Sequence, residues 1–506
     1  MKLHRFGVWL LPLALAAQNL QEFEKKVTEF TLSNGFHFIV VERHEAPVVS
    51  FHTYVNAGSV DDPSGETGIA HMFEHMAFKG TTTIGTKNWP EEKKALDEVE
   101  GVYDRLEAER NKGIKADPKK VSELEAALKA AEEKANSYVV PNLYPRMIEQ
   151  NGGAGLNAQT GVDATEYYYS LPSNRLELWF LLESDRFIHP VFREFYKERD
   201  VVMEEYRMRV ESEPQGKLLQ AFLATAFIAH PYHNMSAGWP SDIANLRVAD
   251  AWRFFREYYV PGNITMGIVG DVNPAEAKRL AERYFGPMQA RPLPPLLHTV
   301  EPPQDGPKSA EVQSPSQPLI FLGYKRPDTL NKDDSVFDVI SGVLSGGRTG
   351  LLYKELVRDK QIAVAAEAED TFPGGKYPNL FVFLLAPAMG HTTEENQKAF
   401  YDVLDRFKGE QVDAATLARV KTKTRAEVIR RLAGNAGLAN LLTTYYAIYG
   451  DWRKLFTSLD ELDRVTADDV QRVAKEYFVP EKRTVSYLVA PKQQPAGEKQ
   501  PAGGEK

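Results

Sequence analysis

The chain has 506 residues, with 61 basic and 70 acidic side chains that give a formal net charge of −9, and 43% of its residues are hydrophobic. That composition is ordinary for globular domains and excludes wholesale disorder, and the mild acidity argues against a general nucleic-acid binder, which needs a basic face. With no cysteine the chain can form no disulfide. Stability must come from a hydrophobic core, which a chain of this length can bury.

In chain order, the first element is an export signal. Lys2, His4 and Arg5 precede an apolar run from Phe6 to Ala17 that ends in small residues. This is the pattern of a secretory signal peptide over residues 1–17. The mature chain is expected in the periplasm or outside the cell. Beyond residue 20 no apolar run approaches the roughly 20 residues a membrane helix needs, so no span is expected after signal cleavage. Phe30–Val41 reads as a hairpin turning at Asn34-Gly35, and Val48–Val55 and Thr165–Leu171 as further strands. Helices are expected at 67–79, 173–187, 194–212, 214–230 and 246–258. Residues 89–138 look inserted. They are charge-dense, and two apolar runs at three-four spacing are separated by Gly113–Pro118. The pattern predicts a helical hairpin, an antiparallel coiled-coil arm.

An internal echo points to duplication. Asp250, Glu257-Tyr258, Val260-Pro261 and Thr265 recur as Asp469, Glu476-Tyr477, Val479-Pro480 and Thr484, each pair 219 positions apart. In both copies an amphipathic helix stops before Val-Pro and an apolar strand follows. A proline-dense stretch between the copies reads as an extended linker. The expected organisation is a first domain at 18–287, a linker at 288–311, a second domain at 312–491 and a disordered tail at 492–506. The fold class is α+β, each domain a sheet covered mainly on one face by helices.

The sharpest chemical signal is His71-Met72-Phe73-Glu74-His75. On a helix, His71 and His75 lie one turn apart on one face, close enough to share an ion, with Glu74 beside them. Zinc accepts imidazole nitrogen readily, and a hydrolytic site needs a third protein ligand and an open position for water. Glu198 and Glu205, seven apart on a predicted helix, face one side of it, and spacing alone does not choose between them as that ligand. Ser345–Gly350 is glycine-rich but lacks the Gly-Lys-Ser/Thr ending of a phosphate loop. His230, His233, His298 and His391 have no partner at ligand spacing.

The stretch Gly68–Thr81, with Gly58-Ser59, Gly152-Gly153, Asn157-Ala158, Thr160, Thr165, Tyr167, His189-Pro190 and the Glu198–Val202 run, resembles the M16 metallopeptidases. His-x-x-Glu-His is their signature. The resemblance runs from about residue 26 to 490, and the 89–138 arm accounts for an unusually long spacing from His75 to Glu205. It implies two homologous M16-type domains and a zinc endopeptidase acting on peptides or unfolded polypeptides. By the same resemblance His71, His75 and Glu205 are the Zn2+ ligands, Glu74 is the general base and Glu198 a carboxylate supporting a ligand. An extended peptide would add to a sheet edge near Ala57–Val60 or Gly155–Gln159, with Gly58, Asn157 and Ala158 as candidate contacts. The family closes two subunits around a chamber with an Arg/Tyr pair from the half without metal. Here Val357 and Val364 stand at the aligned positions, so a homo- or heterodimer with an M16 subunit carrying that pair is expected. The alternatives are a non-catalytic core subunit and a zinc-dependent peptide-binding module. The intact His71/Glu74/His75 set argues against the first, which needs none of them.

Overall fold

The computed structural model describes residues 22–491. The expected signal peptide and tail lie outside the described residues. Gly35, at φ +109°, turns the chain between β1 (Val27–Thr31) and β2 (His37–Glu42), which pair antiparallel. β3 (Val48–Val55), β4 (Ala154–Thr160), β5 (Thr165–Pro172) and β6 (Ile264–Gly270) complete a six-stranded sheet in the order β1-β2-β6-β3-β5-β4. β7 (Lys308–Gln313), β8 (Leu319–Arg326), β9 (Ala363–Phe372), β10 (Asn379–Pro387) and β11 (Arg483–Val489) form a second sheet in the order β7-β11-β8-β10-β9. Each sheet has a single parallel pair, β2 with β6 and β7 with β11, and is otherwise antiparallel.

The 219-residue echo is structural. The helices Val248–Tyr258 and Ala467–Tyr477, and the strands β6 and β11 that follow them, superpose position for position in sequence. Asp250 and Asp469 do the same work in each copy. Three residues into its helix, each accepts the N–H of the capping residue, Arg247 or Thr466, at 3.0 Å, which satisfies a donor the helix leaves orphaned. β7 lies partly in the stretch read as linker, so the second sheet starts at Lys308 rather than at 312. Its prolines flank it, and as an edge strand it tolerates them.

The apolar face of the first sheet packs on the helices Ile69–Met76, Leu176–Ile188, Val248–Tyr258 and Pro274–Phe285 in one large core. The second sheet has its own core against Asp334–Ser345, Thr393–Gly409 and Ala467–Tyr477. The opposite faces are also covered, a departure from the one-sided layering expected. The halves trade helices. Asn435–Tyr449, from the second half, lays Leu438 and Leu442 on Ile39, Val41 and Val269 of the first sheet. Pro214–Ala226, from the first half, lays Phe222 and Leu223 on Leu380 and Val382 of the second. Glycine marks both crossings. A Cβ at Gly267 would stand 2.9 Å from the Thr443 methyl, and one at Gly323 2.6 Å from the Phe222 ring, so only glycine lets the helices approach so closely.

The inserted segment forms two helices, Trp89–Arg110 and Pro118–Asn136, that pack on each other. It is not a free arm: Ala95, Val99, Val102, Tyr103, Ala131 and Ala135 join the main core.

Candidate metal centre

The helix Ile69–Met76 is capped at its start and buried along one face before it presents any chemistry. The buried Asp62 carboxylate accepts the Gly68 and Ala70 N–H groups at 2.7 and 3.0 Å, filling the role of a cap. Ile69, Ala70, Met72 and Met76 are buried, and Phe73 packs among Phe192, Phe255 and Tyr259. What remains on the other face is His71, Glu74 and His75.

A second helix, Phe195–Tyr206, is anchored by Phe195, Tyr196, Val202 and Tyr206 and carries Glu198 and Glu205. Immediately after it the chain widens into a π-helical turn, Arg207–Glu211, where the sequence had suggested an unbroken helix to 212. Such turns occur often at functional sites.

The two helices bring His71, His75 and Glu205 together, with one ligand atom of each within 4.8 Å of the others. The two imidazole Nε2 atoms are 3.3 Å apart, and they lie 3.6 and 3.7 Å from the Glu205 carboxylate oxygens. Ligand atoms about 2.0–2.1 Å from a tetrahedral zinc are separated by about 3.3 Å, so the spacing suits that ion. A buried oxygen of Glu205 finds no hydrogen-bond donor among the described residues. That oxygen's charged neighbours are the imidazoles and the Arg209 guanidinium at 3.2 Å, and a cation at the centre of the triangle would give the buried carboxylate the direct partner it lacks.

Glu198 stands behind His75, with Nδ1 to Oε1 at 3.0 Å, while its other oxygen is 2.5 Å from Lys79 Nζ. Burial raises the Glu198 carboxyl, but His75 and Lys79 outweigh it and hold the group down at about 2. A permanently anionic acceptor at Nδ1 places the imidazole proton there and turns the Nε2 lone pair to the triangle, the usual arrangement of a histidine ligand. Burial, with the neighbouring His75 and Arg209, pushes His71 down to about 3, so it is neutral and free to ligate. Glu74 is raised by burial, and its Oε2 accepts the Thr160 hydroxyl at 2.6 Å.

Thr160 ends β4, the sheet's outermost strand, whose free edge pairs with no strand among the described residues. Asn157 is exposed there and donates to the Tyr168 hydroxyl at 3.3 Å, while Ala158 lies opposite Tyr167. The other suggested edge, Ala57–Val60, is not open. Gly58 is buried, its N–H donates to Asp61, and a Cβ on it would strike the Val162 carbonyl at 2.5 Å. Ser59 and Val60 already donate to Gly161 and Val162. Gly58 therefore has a structural part in this turn, and its N–H is already taken.

Lys79 and Thr160, which the sequence marked only within the resemblance and without a role, and Arg209, whose guanidinium lies 3.2 Å from Glu205, also belong to the site. Among the described residues no other group of three or more metal-ligating side chains converges, so the remaining histidines stay outside. Val357 is partly buried in the second core, and Val364 is exposed on β9.

Helices, two duplicated α+β halves and an inverted His-x-x-Glu-His centre define the class. The family profile described as "Insulinase (Peptidase family M16)" matches residues 38–100 and 133–238, and that of the "Peptidase M16 inactive domain" matches 245–424. The chain belongs to the M16 peptidase family. It is 27% identical over 483 residues to the zinc protease PqqE of Helicobacter pylori, covering 94% of this chain and 95% of that one. An uncharacterized zinc protease of Mycobacterium leprae is 22% identical, with 89% of each chain covered. The crystal structure of a protease from H. pylori aligns with TM-score 0.77 at 25% identity, over 92% of this chain and 99% of that one. The periplasmic protease PqqL from Escherichia coli aligns with TM-score 0.68 at 15% identity over 92% of this chain but only 48% of its own.

Proposed function

We propose that the chain is a zinc-dependent endopeptidase for peptides or unfolded polypeptides, with His71, His75 and Glu205 holding Zn2+ and Glu74 as general base. The observation that carries this reading is the three-ligand triangle beside a carboxylate that Thr160 holds in place. When bound, zinc supplies a Lewis acid that acidifies water and polarises a carbonyl. The groups around the metal come from this chain. Glu198 orients His75. Thr160 occupies Glu74 Oε2 and leaves Oε1 to take a proton from the attacking water and return it to the departing amine. The open edge of β4 offers main-chain hydrogen bonds to an extended peptide beside Glu74, with Asn157 and Ala158 at the contact.

The profile described as inactive covers 245–424 and so excludes all five of these acidic and histidine side chains. That supports catalysis by the first half with the second as a wall, over a purely structural subunit. The chain spans half the length of the E. coli periplasmic protease, which supports a second M16 chain completing the chamber and contributing the Arg/Tyr pair replaced here by valines. The signal-peptide pattern at 1–17 and the periplasmic location of that E. coli relative support an exported enzyme.

The deciding experiment is cleavage of a quenched peptide by the purified chain, alone and with a partner subunit, with and without chelator. Cleavage abolished by chelator and restored by zinc is expected. Glu74→Gln should keep its zinc and lose turnover by about 100-fold or more. Substantial activity in that variant would remove Glu74 as the base.

A further inference from the structure

The M16 profile leaves residues 101–132 unmatched, which takes in the turn and outer parts of both hairpin helices. This added segment brings Tyr103 against the helix Phe195–Tyr206. Tyr103 is buried, and its ring stacks on Tyr196 with centroids 4.3 Å apart and planes 15° from parallel. Its hydroxyl accepts from Arg199 Nη1 at 2.9 Å, and the same guanidinium donates to the Leu246 carbonyl at 3.1 Å and lies over the Tyr196 ring. Beside it, Asp104 pairs with Arg247, and Glu100 accepts the Tyr196 hydroxyl at 3.0 Å.

At 100° per residue, Tyr196 lies roughly 160° around its helix from Glu198. The hairpin thus holds the helix from behind while the His-x-x-Glu-His helix meets its front. Cavities of about 460 and 590 Å3 open beside this joint, both lined by Leu96, Glu100, Phe192 and Val248. At this joint long side chains flanked by the two cavities bridge hairpin and body, beside the apolar contacts that Val99, Val102 and Ala135 make with the core.

We propose that Tyr103 is a positioning residue of the metal centre: through Tyr196 and Arg199 it fixes the helix that aims Glu205 and Glu198 at the two histidines. This rests on the zinc reading above. The test is zinc affinity by competition with a chromophoric chelator on the full chain, together with the visible spectrum of the Co2+-loaded protein and the apo Tm. Tyr103→Leu should weaken zinc about tenfold and alter the Co2+ bands, whereas Tyr103→Phe, which keeps the stack, should stay within about twofold of wild type. Glu100→Gln, which leaves core volume unchanged, should shift affinity the same way by about threefold. If Tyr103→Leu does not fold, Glu100→Gln decides alone. Zinc affinity and Co2+ bands unchanged in these variants, with only a lower apo Tm, overturn the proposal and leave the hairpin a stabiliser. His71→Ala separates the two readings: if it too leaves zinc binding unchanged, the metal site itself is wrong.

Discussion

At the scale of single residues, the site is a set of charges placed so that each constrains the next. Lys79 holds Glu198, Glu198 holds His75, and Thr160 holds Glu74. Replacing Glu198 by Gln keeps shape and removes the charge that fixes the His75 proton. Zinc affinity measured by chelator competition should fall about 10–100-fold, as for other residues that orient a ligand. A different residue tests the electrostatics of the second sheet. Lys325 Nζ sits 3.4 Å above the Phe227 ring and 3.6 Å from Glu301, and burial pushes it down to about 7. Between that value and the ordinary 10.5, the unfolded chain holds the proton and the folded one does not, so this group's contribution to stability rises with pH across the window. Lys325→Met should therefore raise Tm most near pH 6–7, with the gain gone by about pH 10. A pH-independent difference in Tm would refute the assignment. The two histidines and Glu74 were legible in sequence because one helical turn sets their spacing. Spacing did not choose between Glu205 and Glu198, because both share a helix face; the resemblance pointed to Glu205, and the approach of the other helix is what sets it beside the two imidazoles. Lys79 and Thr160 meet Glu198 and Glu74 from 119 and 86 positions away in sequence, and no local pattern records such a contact.

At the scale of elements, periodicity identified most helices and strands but not their partners. An amphipathic stripe states that a face is buried, not against what. Hence Pro214–Ala226 was readable as a helix, while its seat on the second sheet, and the reciprocal seat of Asn435–Tyr449 on the first, were not. The hairpin at 89–138, with Tyr103 in its apolar stripe, was legible from its spacing, but the stripe did not say that Val99, Val102 and Tyr103 join the main core rather than only the facing helix, nor that Glu100 and Asp104 pair with the body. The π turn after Glu205 left no sequence signal at all. The exchange gives a direct test. Valine at Gly267 would drive side-chain atoms into Thr443 and the Ala439 carbonyl, 2.9 and 3.0 Å from where Cβ alone would stand. Gly267→Val should cost about 1–3 kcal/mol in denaturant unfolding. An unchanged midpoint would mean the helix is not seated there.

At the scale of the whole molecule, two copies of one α+β unit support unlike roles: one carries the candidate ligands and base, the other has valines where the family's substrate-facing pair would align. The described residues contain no helix long and apolar enough to cross a membrane. The traded helices have a consequence for how such a chain can be cut or inherited. Severed within the proline-dense stretch, residues 22–287 would carry a helix with no sheet beneath it and a sheet with Ile39, Val41 and Val269 bare. Separately expressed pieces should be insoluble and co-expressed pieces should co-purify. A soluble, cooperatively unfolding N-terminal piece would disprove the interdependence. The smallest self-sufficient form of this architecture is thus a pair of repeats, and a lone repeat is viable only by lending its helix to a sister copy.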